Sequence, residues 1–129
     1  MFRDPTKLRV FGLADELALD LHRLAAALPG EARASLGAPL ARAATAAPLQ
    51  IQEACRGGDD RFRLGLEGAI GAATEARYLA SLLHRLGHLP QAEWTRLEDR
   101  LTHLVKACFG LRKAQGRPRS GTPEAAEEP

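Results

Sequence analysis

The side chains best suited to catalysis or metal binding are two cysteines and four histidines, and their spacing favours neither role. His84 and His88 are four residues apart, but Gly87 is expected to end a helix between them and no third ligand is evident. His103 and Cys108 lie about 140° apart around a helix, which prevents a nucleophile and base pair. No Glu-x-x-His di-iron motif, Gly-x-Ser-x-Gly motif or phosphate-binding loop occurs. The sequence therefore predicts no enzyme activity, no metal site, no cofactor and no small-molecule substrate.

Basic side chains supply the functional lead. Five of them lie on or beside one face of the last predicted helix: Arg96, Arg100, His103, Lys106 and Lys113. Such a stripe can neutralise phosphate groups, so it predicts contact with RNA or DNA. The alternative is an ordinary solvated face, because Glu93 and Asp99 interrupt the stripe and the net charge of the whole chain is only +2.

The elements that must position these residues are helices. Apolar side chains recur at three- and four-residue steps from Phe11 to Leu28 and from Trp94 to Leu111, as in helices that pack on one face. The chain is rich in Leu and Ala and poor in β-branched residues, which also favours helix over sheet. The connections are short, so neighbouring helices are expected to be antiparallel. We predict an all-α, up-down-up-down four-helix bundle.

The predicted helices run over about 8–28, from within 31–40 to about 56, from 59 or 60 to about 86, and from 90 onward. Pro39 either opens the main part of the second helix or marks a bend in it. Asp59 or Asp60 is expected to cap the third helix. Residues 1–113 form the predicted bundle, and the Pro- and Gly-containing residues 114–129 are predicted to be a disordered tail.

Nothing in the sequence predicts a membrane or an exported protein. No apolar run approaches the length of a bilayer span, and no signal-peptide core follows the charged N-terminal residues. Cys55 and Cys108 are too few for a disulfide framework and are expected to be small buried side chains. We therefore expect a cytoplasmic protein.

The third helix has an apolar second face. On a helical wheel Leu64, Tyr78 and Leu82 point about 160 to 200° away from the core positions. One bundle core cannot cover both faces, so these three residues are predicted to form an interface between identical subunits. The glycines of the same helix, Gly65, Gly68 and Gly71, predict a close approach of another backbone, and with the apolar face they are expected to serve assembly.

The second helix contains an interior proline, Pro48, within a strong helix-forming run. The run resembles the segment Arg-Ala-Ala-x-x-x-x-Pro-x-x-Ile-x-Glu of the four-helix-bundle proteins encoded in intervening sequences of bacterial 23S rRNA genes. It is matched by Arg42, Ala43, Ala44, Pro48, Ile51 and Glu53. The resemblance runs from Phe2 to about Lys113. It implies a barrel-shaped homopentamer, and its similarity to the accessory proteins of diversity-generating retroelements implies association with nucleic acid.

Three polar residues are expected to have structural roles. Arg42 and Glu53 match the family motif but are about 16 Å apart along the helix, so they cannot pair with each other. Each is expected to bind a neighbouring helix or the backbone near Pro48, with Glu75 as a candidate partner for Arg42. Solvation of Arg42 and Glu53 is the open alternative.

Together these features predict a non-enzymatic, homo-oligomeric scaffold, a pentamer as the resemblance implies, whose basic surface contacts structured RNA without reading bases. The competing hypothesis is an oligomeric adaptor that binds only proteins.

Overall fold

The computed structural model describes residues 3–115 and shows an all-α fold of four helices. They are α1 (Arg9–Ala27), α2 (in three consecutive parts, Gly30–Ala32, Arg33–Gly37 and Ala38–Ala54), α3 (Asp59–Arg85) and α4 (Gln91–Gln115). A 3-10 turn, Pro5–Lys7, precedes α1. Within residues 3–115 there is no strand, so the predicted fold class is confirmed.

α1 forms because its apolar side chains recur on one face, and that face is buried. The buried positions are Val10, Ala14, Leu17, Leu21 and Ala25, as the sequence pattern predicts. The helix ends at Leu28, whose backbone is extended. A residue that precedes a proline is disfavoured in the helical conformation, so Pro29 explains the stop.

α2 is one continuous helical segment with an irregular start. Arg33–Gly37 is a π-helical turn, in which the N–H of Ala38 donates to the carbonyl of Arg33. Pro39 lies in the first turn of Ala38–Ala54, so of the two predicted alternatives it opens the main part of the helix, directly after the π-helical turn. Pro48 lies within Ala38–Ala54, which confirms that the helix continues through an interior proline.

Glycines flank α3 at both ends, Gly58 just before it and Gly87 two residues after it. Its N-cap is Gly58, which makes no side-chain hydrogen bond, so the prediction that Asp59 or Asp60 caps the helix is wrong. Both carboxylates lie inside the first turn, where the helix dipole favours negative charge. Beyond the other end, Gly87 has a φ of +88°, a conformation that side chains disfavour, and this confirms Gly87 as the terminator.

α4 extends further than the predicted bundle boundary at residue 113. Ala114 and Gln115 are helical, and Gln115 Oε1 accepts a hydrogen bond of 3.4 Å from Arg3. The remainder of the predicted tail, 116–129, lies outside the described residues. The predicted seam of α4 is confirmed, because Leu97, Leu101, Leu104 and Cys108 are all buried.

The four helices enclose a core made mainly of leucine and alanine. Phe62 is the largest of its fully buried side chains, and no polar or charged residue is buried among residues 3–115. Helices α2 and α3, and α3 and α4, pack closely over long stretches. Helices α1 and α4 have the least extensive contact of the adjacent pairs, which leaves a cleft between them.

Arg3 ties the N-terminal segment to the ends of three helices, α2, α3 and α4. Its backbone N–H donates to the carbonyl of Cys55, and its Nη2 lies 3.2 Å from Asp59 Oδ1. The guanidinium carbon lies 3.9 Å from the centre of the Phe62 ring. These contacts close the end of the bundle where α2, α3 and α4 meet. In the described part of the chain, no helix has the length and apolarity needed to cross a bilayer.

Candidate self-association and nucleic-acid surfaces

The fold divides the five basic residues predicted on α4 into two groups. Arg96, Arg100 and His103 line the cleft between α4 and α1. Lys106 and Lys113 are exposed and point away from that cleft, because they lie about 60 to 140° further round the helix. The sequence already places Lys106 and Lys113 beside the stripe formed by the other three. The packing of α1 against α4 adds that the stripe lines a cleft, whereas the two lysines stay exposed.

The arginines of the first group are largely compensated by carboxylates. Arg100 Nη1 lies 2.9 Å from Asp20 Oδ2 on α1, and the Arg100 side chain is only partly exposed. Asp20 also accepts from Arg23, through Oδ1, at 3.1 Å. Arg96 Nη2 lies 4.0 Å from Glu93 Oε2. Arg100 therefore joins α4 to α1, and this role competes with phosphate binding.

The cleft itself is a cavity of about 490 Å³ with charged walls. Arginine and carboxylate side chains stand at its rim, and Leu24 and Leu97 lie on its apolar floor. Two smaller cavities, of about 270 and 190 Å³, continue along the same helices past His103. Mixed charge over an apolar floor is typical of a surface that meets protein more than one that meets phosphate.

The second group of basic residues carries uncompensated charge. Within residues 3–115, neither Lys106 nor Lys113 forms an ion pair. Phe109 lies between them on α4 and is 45% exposed. The Arg112 guanidinium carbon lies 5.0 Å from the centre of the Phe109 ring, and Arg112 Nη1 lies 3.1 Å from Glu67 Oε2 on α3. This surface, formed by Lys106, Phe109, Arg112 and Lys113, is called the Phe109 patch.

Sequence reasoning missed Phe109. The signal was present, because at 100° per residue position 109 falls outside the seam formed by Leu97, Leu101, Leu104 and Cys108. An aromatic ring off the seam is either exposed or packed on a neighbouring helix, and only the fold distinguishes the two.

The second apolar face of α3 points to solvent in the single chain. Leu64 is 66% exposed and Tyr78 is 59% exposed, whereas Leu82 is half-buried. Gly71 lies between Leu64 and Tyr78 on the same face, and a Cβ added there would meet nothing within 4 Å. The Arg85 guanidinium carbon lies 5.8 Å from the centre of the Tyr78 ring. These residues, Leu64, Gly71, Tyr78 and Leu82, are called the α3 stripe.

The other two glycines of α3 serve the bundle and not a second subunit. A Cβ at Gly65 would lie 2.6 Å from Ala54 Cα and 2.7 Å from the Gln50 carbonyl oxygen, both on α2. A Cβ at Gly68 would overlap the Gln50 side chain. The predicted close approach of another backbone is therefore confirmed at Gly65, whereas the expectation that all three glycines serve assembly is wrong. Close packing of α2 against α3 requires Gly65, and only Gly71 is open.

The structure gives the three predicted structural polar residues different surroundings. Glu53 Oε2 accepts from Arg61 Nη1 at 2.7 Å, so it joins the end of α2 to the start of α3. Arg42 and Glu75 are exposed, and among the described residues neither forms an ion pair. The expected pairing of Arg42 with Glu75 is not present.

The cysteines and His84 are placed where they contribute to packing and hydrogen bonding. Burial raises the pKa of both cysteine thiols, to about 11 for Cys108, and for Cys55 the charge of Arg3 opposes this effect. A raised pKa disfavours the nucleophilic thiolate. The His84 ring stacks on Trp94, and its Nδ1 lies 2.8 Å from the Leu89 carbonyl oxygen. Within residues 3–115, no group of three His, Cys, Asp or Glu residues is placed to hold a metal ion.

A comparison with family models places the chain. Residues 6–110 match the model of the 23S rRNA-intervening sequence protein family. The chain belongs to this family. The match spans all four helices except the last residues of α4, so the family assignment and the bundle describe the same part of the chain.

A solved structure supports the fold of this 23S rRNA-intervening sequence protein. It is a protein with unknown function from the S23 ribosomal protein family of Bacteroides thetaiotaomicron VPI-5482. The two chains are 22% identical and superpose with a TM-score of 0.75, over 81% of this chain and 95% of the other. This likeness shows the fold alone. A search of curated proteins finds no match.

Proposed function

We propose that the protein is a non-enzymatic, cytoplasmic scaffold that assembles from identical subunits and contacts structured RNA through α4. The observation that carries the proposal is the α3 stripe, with Leu64 66% and Tyr78 59% exposed on one helix face. Large apolar side chains aligned on a helix lose contact with water when they meet a second copy, and this stabilises an assembly. Open space at Gly71 allows close approach in the middle of the stripe.

Five subunits is the stoichiometry that the resemblance to the 23S rRNA-intervening sequence proteins implies. A ring repeats each surface of the subunit around its axis. A basic surface that binds phosphate weakly in one chain then binds through several copies at once. Repetition therefore compensates for the small net charge of +2 per chain.

The RNA contact is supported by the lysines of α4 more than by its arginines. Lys106 and Lys113 are exposed and have no acidic partner among residues 3–115, whereas Arg100 is engaged with Asp20. Uncompensated exposed cations release counterions from nucleic acid when they bind phosphate, so the affinity is expected to fall steeply as salt rises. The resemblance to retroelement accessory proteins, which associate with nucleic acid, agrees with this role.

Assembly is tested by light scattering on purified full-length protein at micromolar concentration. We expect a mass about five times that of the 13.9 kDa chain, and Leu64→Glu or Leu82→Glu should reduce it to one chain while the helical circular dichroism is retained. Leu49→Glu is the matched control, because Leu49 is also a largely exposed leucine, at 55%, but lies on α2. A wild-type mass near 13.9 kDa would overturn the self-association.

RNA binding is tested by fluorescence anisotropy with labelled 23S rRNA hairpins at low and physiological salt. We expect the double variant Lys106→Glu, Lys113→Glu to lose binding while it keeps the wild-type mass. Arg42→Glu, Arg56→Glu is the control, since it makes the same charge change at two exposed arginines, one on α2 and one in the loop that follows it. Equal loss in both variants would indicate a response to net charge and not a site.

A protein-binding adaptor is the second candidate, and the cleft between α1 and α4 favours it. Its apolar floor and its arginine and carboxylate rim resemble the composition of protein interfaces. Absence of RNA binding by the intact oligomer at either salt concentration would leave this adaptor function as the better account.

A further inference from the structure

The Phe109 patch combines an exposed aromatic ring with cations on both sides of it. Phe109 is 45% exposed, and Lys106 and Lys113 lie three residues before and four residues after it. Residues at these spacings are neighbours on a helix surface. The two ammonium groups therefore bracket the ring along the helix axis, over about 10 Å between their Cα atoms.

Of the three cationic side chains around the Phe109 ring, one is paired with a carboxylate and two are not, among residues 3–115. Arg112 approaches the ring at 5.0 Å and is also paired with Glu67, so its charge is largely compensated. Lys106 and Lys113 have no ion-pair partner within residues 3–115, so the patch carries two uncompensated positive charges. The Arg112 guanidinium lies over the ring and so occupies one of its two faces, which leaves the other face for a flat ligand.

The chemistry of the patch fits an unpaired nucleotide. An exposed aromatic ring offers a face on which any nucleobase can stack, and neighbouring cations bind the phosphates that flank that base. A base inside a duplex is already stacked and cannot reach a ring that lies on a helix surface. A protein partner would instead need acidic side chains placed to match both lysines.

We propose that Phe109 stacks on an unpaired base of the bound RNA, while Lys106 and Lys113 hold the phosphates on either side of it. This inference rests on the proposed RNA contact and deepens it, because it names loops and single strands as the part of the RNA that is bound. Stacking tolerates every base, so the site distinguishes unpaired from paired RNA and does not read sequence.

The test compares a labelled hairpin that has an unpaired eight-nucleotide loop with a blunt duplex of the same stem sequence. Full-length Phe109→Ala is expected to bind the hairpin roughly 5- to 100-fold more weakly and the duplex about as the wild type does. Phe109→Trp should retain hairpin binding, because it keeps an aromatic face, whereas Phe109→Leu should lose it. Leu19→Ala is the control for loss of an exposed apolar side chain, since Leu19 lies on α1.

The outcomes separate this inference from the proposed function. If the wild type binds neither RNA, the proposed RNA contact fails. If the wild type binds both and Phe109→Ala binds the hairpin equally well, only the stacking inference is overturned. Retained hairpin binding by Phe109→Leu would also overturn it. A change in the light-scattering mass of Phe109→Ala would assign the ring to a contact between subunits and overturn the stacking role.

Discussion

At the residue scale, burial of the two cysteines disfavours their reactive thiolate form and places both side chains in the apolar core. Cys55 and Cys108 have no exposed surface in the structure, and no cation compensates a thiolate at Cys108. Desolvation penalises the charged form, so the thiol proton is held more tightly in the folded chain than in the unfolded one. Both residues act as small apolar side chains in the core, as the sequence predicts.

Because the pKa of the Cys108 thiol is higher in the folded chain than in the unfolded chain, the free energy of unfolding is expected to change with pH in the alkaline range. The folded pKa of Cys108 is about 11, whereas an unperturbed thiol has a pKa of about 8.5. Its contribution is therefore complete below about pH 8.5 and is lost as the pH rises toward 11. We expect the urea midpoint to fall over this interval, and we expect Cys108→Ala to flatten the decline. The slope against pH is the measurement, because the substitution also lowers the midpoint by leaving a small cavity. Equal slopes in the two proteins would contradict the prediction.

For exposed side chains, the residue type alone does not predict the neighbouring charges or the exposed fraction. Arg96 and Lys106 look alike in the sequence, yet one lies near Glu93 in a cleft and the other has no acidic partner among residues 3–115. Phe109 reads as another apolar residue of α4 until the fold leaves 45% of it exposed. Charge and exposure of a surface residue depend on which helix packs beside it.

At the scale of elements, the contact between α2 and α3 depends on one small residue. Gly65 is buried, and a side chain there would displace Ala54 and the Gln50 carbonyl. We expect Gly65→Ala to lower the free energy of unfolding by about 2 kcal/mol or more, because the clash involves backbone that must move. Urea denaturation measures the change.

Gly12→Ala is the matched control for this helix glycine. A Cβ at Gly12 on α1 would meet nothing within 4 Å. The higher helix propensity of alanine should then raise the free energy of unfolding by up to about 1 kcal/mol. Opposite signs for the two substitutions are the expected result. A stabilising effect of Gly65→Ala would show that the two helices are less closely packed than described.

At the scale of the whole molecule, the end of the bundle is closed by contacts between distant parts of the chain. Arg3 reaches Cys55, Asp59 and Gln115, so the N-terminal segment, the loop between α2 and α3, and the last residue of α4 meet at one place. The described part of α4 reaches Gln115, two residues beyond the boundary that periodicity predicts.

Truncation tests where the folded unit ends. Removal of residues 116–129 is expected to leave the melting temperature within about 2 °C of the full chain, because this sequence has no apolar periodicity with which to pack on the bundle. Removal of residues 114–129 also deletes Gln115 and its bond to Arg3, and should lower the melting temperature further. Differential scanning calorimetry makes the comparison. A large loss in the shorter truncation would show that residues 116–129 stabilise the bundle.

The sequence by itself determined the four helices, their order and their buried faces. Helix periodicity, glycine stops and prolines are local properties, so α1, α3 and α4 begin and end close to where the pattern predicts, and Pro48 lies inside α2. Asp59 and Asp60 are the local exception, because either carboxylate suits a cap or a first turn and the backbone at Gly58 decides between them.

Only the tertiary structure decided which surfaces remain available. The sequence assigned three glycines of α3 to assembly, yet Gly65 and Gly68 are filled by α2, and only Gly71 lies open on the α3 stripe. It also placed Lys106 beside Arg100, and the packing of α1 sets Asp20 against Arg100, whereas Lys106 has no acidic partner among residues 3–115. The physical reason is that a helical pattern fixes the direction of a side chain around its own axis. What stands in that direction depends on the position of the other helices.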